Sequence, residues 1–118
     1  IYGCDDCQLC CPWNSFATTG DPDFSPRNGL DGSTLAALFA WSEADFDQRL
    51  QGSPIRRIGY ERWLRNIAVA LGNAPATPTV TEALSARRDH ASAVVREHVD
   101  WAVRQQQRKS LQSADKRL

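Results

Sequence analysis

The chain has 118 residues, enough for one modest domain, and its formal net charge is zero. No apolar run approaches the ~18–20 residues that a membrane-spanning helix requires, and the N-terminus lacks the basic flank and apolar stretch of a secretory signal. We therefore expect a cytoplasmic protein with no membrane attachment. Because the sequence opens on Ile1 and not on Met, we expect it to be the C-terminal part of a longer protein.

The zero net charge conceals two halves of opposite sign. Residues 1–50 carry eight acidic and two basic side chains, a net of −6, whereas residues 51–118 carry twelve basic and six acidic side chains, a net of +6. Such asymmetry indicates that one half meets an anionic partner. Solvated helix faces are an equally good explanation.

All four cysteines lie within residues 4–11. A disulfide framework would spread cysteines along the chain, so the clustering favours a metal or redox centre. The spacing Cys4-x2-Cys7-x3-Cys11-Pro12 is similar to the C-x2-C-x2-C-x3-C-P run of bacterial ferredoxins, in which the Cys before Pro binds the second of two clusters. The three cysteines in this core are therefore predicted to bind iron–sulfur clusters.

Cys10 departs from the ferredoxin spacing. Adjacent cysteines rarely bind one cluster together, so we interpret Cys10 as a small buried or spare thiol; the alternative is that it replaces Cys11 as a ligand. Two cubanes need eight thiolates, and this chain offers three or four, so the remaining ligands must lie upstream. A zinc site is the alternative metal centre. His98 lies near a buried helix face and is interpreted as a packed histidine.

Turn-forming residues separate the cysteines from a helical region. Residues 15–32 contain several Gly, Pro, Asn-Gly and Asp-Gly signals and few apolar side chains, which predicts a linker. Apolar residues then recur with helical spacing from Ser33 onward. Ser33 or Thr34 is predicted to cap a first short helix that ends at Ala40.

Capping residues mark the later helix starts. Ser42 and Asp45 form a variant capping box for a helix that ends near Leu50. Ser53 and Pro54 predict the next helix start, with Ser53 as its cap and Pro54 as its first helical residue. The remaining predicted helices are Arg56–Leu71 with a break near Gly59, Thr79 or Thr81 to Arg88, and Ser92 to about Gln107.

The helix predicted over residues 56–71 carries an apolar stripe and a signal for its C-terminal end. The residues predicted to be buried are Trp63, Leu64, Ile67, Ala68 and Leu71. Gly72 and Asn73 predict the end of the helix. In the last helix, the residues predicted to be buried are Val95, Val99, Ala102 and Val103.

Two helical segments are similar to each other. Leu64-Arg65-x-x-Ala68 matches Val95-Arg96-x-x-Val99 at an offset of 31 residues. Helix pairs with this period predict a HEAT-type repeat, and chance similarity between two amphipathic helices is the alternative. We therefore predict a mostly α fold. Its predicted parts are a ferredoxin-type cluster segment (1–14), a linker (15–32), a HEAT-like domain (33–108) and a polar tail (109–118).

Basic residues are clustered at the start of the helix predicted over residues 56–71. Arg56, Arg57, Arg62 and Arg65 fall within ten residues. Guanidinium groups match phosphate with two hydrogen bonds, and a helix start at Ser53 adds free backbone N–H groups. These features predict a contact with a phosphate backbone. The alternative, with equal support from the residues alone, is that the arginines pack helix pairs together.

Three stretches resemble one enzyme family. Residues 1–14, IYGCDDCQLCCPWN, closely resemble the second cluster motif of bacterial epoxyqueuosine reductases. Residues 52–74 resemble the opening of that family's C-terminal HEAT-like domain, and residues 95–102 resemble its closing helix. The resemblance implies reduction of epoxyqueuosine to queuosine at the tRNA wobble position, with a cobalamin and two [4Fe-4S] clusters. The cobalamin domain and the first cluster motif would precede this chain.

The resemblance also implies residue roles. Cys4 and Cys7 would bind one cluster and Cys11 the other, while the family usually has an aliphatic residue at the position of Cys10. The corrinoid lies close to a cluster in this family, which places the segment that contains Asp5 and Asp6 near it. No catalytic residue can be named, and the chain alone is expected to be inactive.

The expected partners follow from the same resemblance. They are the tRNA anticodon stem-loop and an external electron donor, and we expect a monomer. The family favours tRNA contact by Arg56, Arg57 and Arg62, and favours it less for Arg65. Two alternatives of other classes are a ferredoxin-like electron-transfer segment fused to a helical protein-interaction module, and a small zinc-stabilised helical adaptor.

Overall fold

The computed structural model describes residues 6–16, 20 and 33–115. All elements in these ranges are helical, which confirms the predicted mostly α class for the part described. In chain order they are α1 (Asp6–Leu9), a 3-10 turn (Pro12–Phe16), α2 (Leu35–Phe39), α3 (Glu43–Arg49), a second 3-10 turn (Pro54–Ile58), α4 (Tyr60–Asn73), α5 (Pro78–Ser85) and α6 (Ala93–Asp115). Most of the predicted linker lies outside the described residues.

Helix α4 is the centre of the core. It packs along α6, α5 contacts both of these helices, and α2 packs against α4 and α5. The apolar stripe predicted for α4 is confirmed, because all five of its residues are buried. The other fully buried large side chains come from the surrounding elements: Phe39, Phe46, Leu50, Leu84, Val95 and Val99. The period of 3.6 residues thus identified the face on which the domain is built.

The predicted helix caps are present in the structure. The Thr34 hydroxyl accepts a hydrogen bond from the Ala37 backbone N–H at 3.1 Å. Ser42 and Asp45 form the reciprocal capping box, with both side chain-to-backbone distances at 3.2 Å. Each bond joins residues three positions apart, so these helix starts depend on local sequence alone.

Helices α5 and α6 have boundaries that differ from the prediction, and one of these differences is that α5 ends at Ser85, three residues before the predicted end at Arg88. Helix α5 is capped by Thr77 and begins at Pro78, not at Thr79 or Thr81, because the Thr77 hydroxyl accepts from the Val80 N–H and Pro suits the first helical position. Helix α6 continues to Asp115, into the stretch expected as a polar tail.

The helix end predicted at Gly72 and Asn73 is confirmed, because α4 ends at Asn73, but Gly72 also has a packing role that was not predicted. It lies inside α4, and the positive φ values belong to Gly52 and Gly59 among the described glycines. A Cβ at Gly72 would lie 2.7 Å from Cζ3 of Trp101 and 3.0 Å from Cα of Ala102. Glycine is therefore needed there so that α4 and α6 can approach each other. Gly59, with φ of 83°, makes the predicted break before α4.

No helix in the described ranges is both long and apolar enough to cross a membrane.

Candidate functional site

The predicted phosphate-contact residues begin at a capped 3-10 turn. The Ser53 hydroxyl accepts a hydrogen bond from the Ile55 backbone N–H at 3.3 Å, and Pro54 occupies the first position of the turn. Gly52, with φ of 75°, lets the chain leave α3 and enter this turn. The cap predicted at Ser53 is therefore confirmed, and it fixes the direction of the residues that follow.

The turn borders an open pocket of about 360 Å³. Its lining residues are Gly52, Ser53, Pro54, Arg56 and Arg57. Both arginine side chains are exposed to solvent. The structure therefore brings a hydroxyl, a helix-type start and two guanidinium groups to one concave surface, a combination of donors that suits a phosphate.

Arg56 has one ionic partner in the structure. Its Nε lies 3.6 Å from Oδ1 of Asp47, and both side chains are about half exposed. Exposed ion pairs of this kind contribute little to stability, and this one engages a single nitrogen of the guanidinium group. The terminal nitrogens of Arg56 therefore stay available to another acceptor.

Arg62 and Arg65 lie outside the pocket, on α4. Arg62 is exposed on the first turn of the helix. Arg65 is half-buried, and its Nε is buried with no hydrogen-bond partner among the described residues. The two side chains therefore differ in access, and Arg62 is the better placed of the two for an external anion.

The first turn of α4 carries one acidic residue, Glu61. Its Oε2 accepts a hydrogen bond from the Ser92 hydroxyl at 3.0 Å, which joins the starts of α4 and α6. The N-terminal end of a helix carries partial positive charge, so arginines there gain nothing from the helix dipole. Arg62, within this turn, is therefore placed against the electrostatic preference of the helix, whereas Arg56 and Arg57 lie in the last turn of the preceding 3-10 element.

Two other cations, Arg87 and Arg96, donate to backbone carbonyls. Arg87 Nε donates to the Phe39 carbonyl at 3.2 Å and its Nη2 to the Trp41 carbonyl at 3.0 Å. The Trp41 carbonyl also accepts from the Tyr60 hydroxyl, and burial raises the pKa of Tyr60, so this donor stays protonated at neutral pH. Arg96 donates to two carbonyls in the loop that precedes α6.

The C-terminal end of α4 is covered by two side chains of α6. Gln106 Nε2 lies 2.6 Å from the Leu71 carbonyl oxygen, and Lys109 Nζ lies 2.9 Å from that of Gly72 and 2.7 Å from that of Ala74. Gln106 is buried, and its Oε1 has no partner among the described residues. Sequence reasoning missed both residues, because their acceptors lie more than thirty positions away.

The described cysteines are free thiols. Cys7 and Cys10 are exposed and Cys11 is half-buried, so the interpretation of Cys10 as a buried thiol is wrong, whereas a spare thiol stays a prediction. Cys4 and Asp5 lie outside the described residues. Asp6, the other residue predicted near a cobalamin, is exposed at the first position of α1.

The cysteine segment does not complete a metal site within residues 6–16. Across the described ranges, no group of three or more His, Cys, Asp or Glu side chains is arranged to hold a metal ion. His98 is half-buried, with Nδ1 2.8 Å from the Val94 carbonyl oxygen. Accessible free thiols have the donor chemistry of cluster ligands, but a full ligand set requires residues beyond those described.

No family model matches the chain, and no solved structure matches it. Epoxyqueuosine reductase of Pseudomonas aeruginosa is 63% identical over 105 residues, which cover 88% of this chain and 29% of that protein. The chain belongs to the epoxyqueuosine reductase family.

Two further epoxyqueuosine reductases support the same assignment. That of Xanthomonas campestris is 64% identical over 106 residues, covering 89% of this chain and 30% of the relative. That of Escherichia coli is 55% identical over 107 residues, covering 90% and 28% respectively. The chain therefore spans less than a third of the length of the epoxyqueuosine reductases it matches, and it corresponds to their C-terminal part.

Proposed function

We propose that this chain is the C-terminal part of an enzyme that reduces epoxyqueuosine to queuosine at the wobble position of tRNA. The observation that carries the proposal is the 63% identity with a protein named epoxyqueuosine reductase over 88% of the chain. Since the substrate would be tRNA, we also propose that the enzyme acts in the cytoplasm, as a monomer, with an external electron donor.

In this proposal, the cysteine segment is a ferredoxin-type part of the enzyme. Cys4 and Cys7 supply thiolates to one [4Fe-4S] cluster and Cys11 supplies one to a second, while Cys10 is not a ligand. The clusters, if bound by these cysteines, would supply electron-transfer chemistry, and a cobalamin would be held mainly by the upstream part, near Asp5 and Asp6. The free, accessible thiols of the described cysteines support this role.

The helical part, which we propose to be HEAT-like, would hold the tRNA. Arg56 and Arg57 contact phosphate groups at the Ser53 turn, and Arg62 extends this surface along α4. The support is that these arginines are exposed and that the pocket at the turn is open. Contacts of this type position a nucleic acid without reading its sequence. Arg65 stays a weaker candidate, because its half-burial suits helix packing better.

The reductase activity is tested in the full-length protein. Purified enzyme with its clusters and cobalamin is given tRNA that contains epoxyqueuosine, and the nucleosides are then measured by mass spectrometry. We expect conversion to queuosine, and we expect this 118-residue chain alone to give none. Unchanged epoxyqueuosine with fully loaded enzyme would refute the proposal, and zinc without acid-labile sulfide would favour the helical adaptor.

The tRNA contact has its own test. Arg56→Glu with Arg57→Glu in the full-length protein should weaken tRNA binding at least about tenfold and reduce the slope of log affinity against log salt by about two. The matched control is Arg104→Glu with Arg108→Glu. Those arginines are exposed on the part of α6 that covers the opposite end of α4. Equal losses in both pairs, or no loss in the first, would contradict a localised contact.

A further inference from the structure

A groove of about 450 Å³ is lined by residues of α5 and α6. Its apolar walls are formed by Leu84 of α5 and by Val103 and Leu111 of α6. None of the described residues that line it is charged, although charged side chains make up 24% of the sequence. A groove of this size and composition is typical of small-molecule sites. It therefore suits an uncharged and largely apolar ligand.

Gln106 also lines this groove, and one atom of its amide is unused. Its Nε2 donates to the carbonyls of Leu71 at 2.6 Å and of Ala74 at 3.0 Å, so both amide hydrogens are occupied. These carbonyls also fix the orientation of the amide, because the reversed amide would set Oε1 against two carbonyl oxygens. Gln106 is 4% exposed, and Oε1 is a buried acceptor with no partner among the described residues. An unpaired buried acceptor costs free energy, and a donor from a ligand would remove that cost.

Two hydroxyl groups in the groove are restricted in the same direction. The Ser110 hydroxyl donates to the Gln106 carbonyl at 3.1 Å, and the Thr81 hydroxyl donates to the Thr77 carbonyl at 3.3 Å. Each hydroxyl has one hydrogen, so it can offer only a lone pair to a ligand. Gln107, the fourth polar residue that lines the groove, is exposed and can turn its amide to water. A matching ligand must therefore bring the N–H or O–H donor itself.

The surface around the groove favours a small molecule over a protein partner. Beyond Val103, the exposed positions of α6 are polar, charged or small except for Leu111, which is 71% exposed. Stable protein interfaces need a broad patch with an apolar centre, about 800 Å² on each partner. One exposed leucine does not provide such a patch, but it extends the apolar wall of a small site.

We propose that this groove binds a small, uncharged ring compound that presents an N–H or O–H donor to Gln106. The ring lies among Leu84, Val103 and Leu111, and the donor meets Oε1 of Gln106. A ligand held in this way connects α5 to the C-terminal half of α6, so its binding raises the melting temperature of the protein. The inference rests on the groove alone and does not depend on the reductase activity or on tRNA binding.

Two probes of the same shape test the requirement for a donor. Indole carries a ring N–H group, and benzofuran has an oxygen atom in its place. In ligand-observed NMR titrations of the full-length protein, we expect indole to bind with a Kd below about 1 mM and benzofuran to bind at least about fivefold more weakly. Gln106→Leu should abolish this difference between the probes, because it removes the acceptor.

Two substitutions on α6 test the location of the site. Ser110→Trp places a large side chain in the groove and should weaken indole binding at least about tenfold. Ala114→Trp is the matched control, since it adds the same side chain at an exposed position that does not line the groove. The control should leave the Kd for indole unchanged.

Three results would overturn the proposal. The first is the absence of saturable indole binding to the unsubstituted protein. The second is equal affinity for indole and benzofuran, or a preference for indole that persists in the Gln106 variant. The third is indole binding that the Ser110 substitution leaves intact or that both tryptophan substitutions weaken equally.

Photolabelling covers the case in which the Ser110 variant does not fold. A diazirine derivative of indole, irradiated with the unsubstituted full-length protein, should label peptides within residues 81–84 or 103–111. An excess of indole should suppress this labelling. Labelling confined to other parts of the protein would show that the groove is not the site.

Discussion

Cationic side chains at the C-terminal ends of α2 and α4 make hydrogen bonds to backbone carbonyls, whereas those just before and within the first turn of α4 do not. At the end of α2, Arg87 donates to two backbone carbonyls, and at the end of α4, Lys109 does the same. Arg57 and Arg62, at the approach to α4, make no hydrogen bond or ion pair with any described residue. A C-terminal helix end carries partial negative charge, and an N-terminal end partial positive charge.

The difference separates structural cations from candidate binding cations. Arg87 and Lys109 satisfy carbonyl groups that a helix end leaves without partners, so the fold itself accounts for them. Arg57 and Arg62 make no such bond within the described chain, and Arg62 lies in the first turn of α4, where the helix dipole does not favour a cation. An external anion would give them a role, which is why we propose the tRNA contact in this region. Four substitutions test the comparison.

Gly72→Val should reduce the free energy of unfolding more than the other substitutions. It tests the close packing of α6 on the C-terminal end of α4. The new side chain would collide with Trp101 and with the backbone of Ala102, whose nearest atoms lie within 3.0 Å of the first added carbon. We expect a loss of about 3 kcal/mol in the free energy of unfolding, measured by denaturant titration. Asn73→Ala, at the next and exposed position, should change it by less than about 0.5 kcal/mol. Equal losses would contradict the need for glycine.

Arg87→Ala should cost about 2 kcal/mol of unfolding free energy, since it removes two charge-assisted hydrogen bonds to carbonyl groups. Arg57→Ala should change stability by less than about 0.5 kcal/mol, because Arg57 is exposed and without a partner in the described chain. Chemical denaturation of both variants checks the comparison directly. A larger loss for Arg57 than for Arg87 would reverse the roles assigned to them.

Local features of this fold were predictable from the sequence. The caps at Thr34, Ser42 and Ser53 each depend on residues two or three positions away, and the period of the apolar stripe in α4 identified its buried face. The cluster of arginines was visible in the same way. These features share one property: every group involved lies within a few helical turns of its partner.

Features that depend on distant partners were not predictable. Arg87 donates to a carbonyl 48 positions away, and Gln106 to one 35 positions away, so no local pattern marks either side chain. The helix end at Gly72 and Asn73 was predicted, but the packing of Gly72 against Trp101 was not, because it depends on how α4 and α6 approach each other. The exposure of Cys10 likewise depends on what surrounds the cysteine segment and not on its spacing.

Gln106→Leu tests the second donor at the C-terminal end of α4. The substitution removes the hydrogen bonds from Nε2 to the Leu71 and Ala74 carbonyls but also removes a buried oxygen that has no partner among the described residues, so the effects partly offset each other. We therefore expect a net loss of about 1 kcal/mol in unfolding free energy. Gln107→Leu, at the neighbouring exposed position, serves as the control and should stay within about 0.5 kcal/mol. A stabilised Gln106 variant would show that the buried oxygen outweighs the bond.

Asp47→Asn should have the smallest effect on the free energy of unfolding. It tests the arginines proposed to contact tRNA, because Asp47 pairs with Arg56. The carboxylate pairs with Arg56 through one nitrogen at an exposed position, so its loss should change stability by less than about 0.5 kcal/mol. It should raise the affinity of the full-length protein for tRNA about threefold at low salt, because a negative charge beside the phosphate contact is removed. Filter binding over a series of salt concentrations measures this change, with Asp100→Asn on α6 as the control.

The direction of that change decides what Asp47 does. If the carboxylate only competes with phosphate for Arg56, the Asp47 variant binds tRNA more tightly than the unsubstituted protein. The Asp100 variant then shows a smaller gain in affinity. If the carboxylate instead holds the Arg56 side chain in the orientation that meets a phosphate, affinity falls although a negative charge has been lost. A fall would therefore place Asp47 among the residues that orient the contact, and Arg56 would join Arg87 as a cation whose position the fold determines.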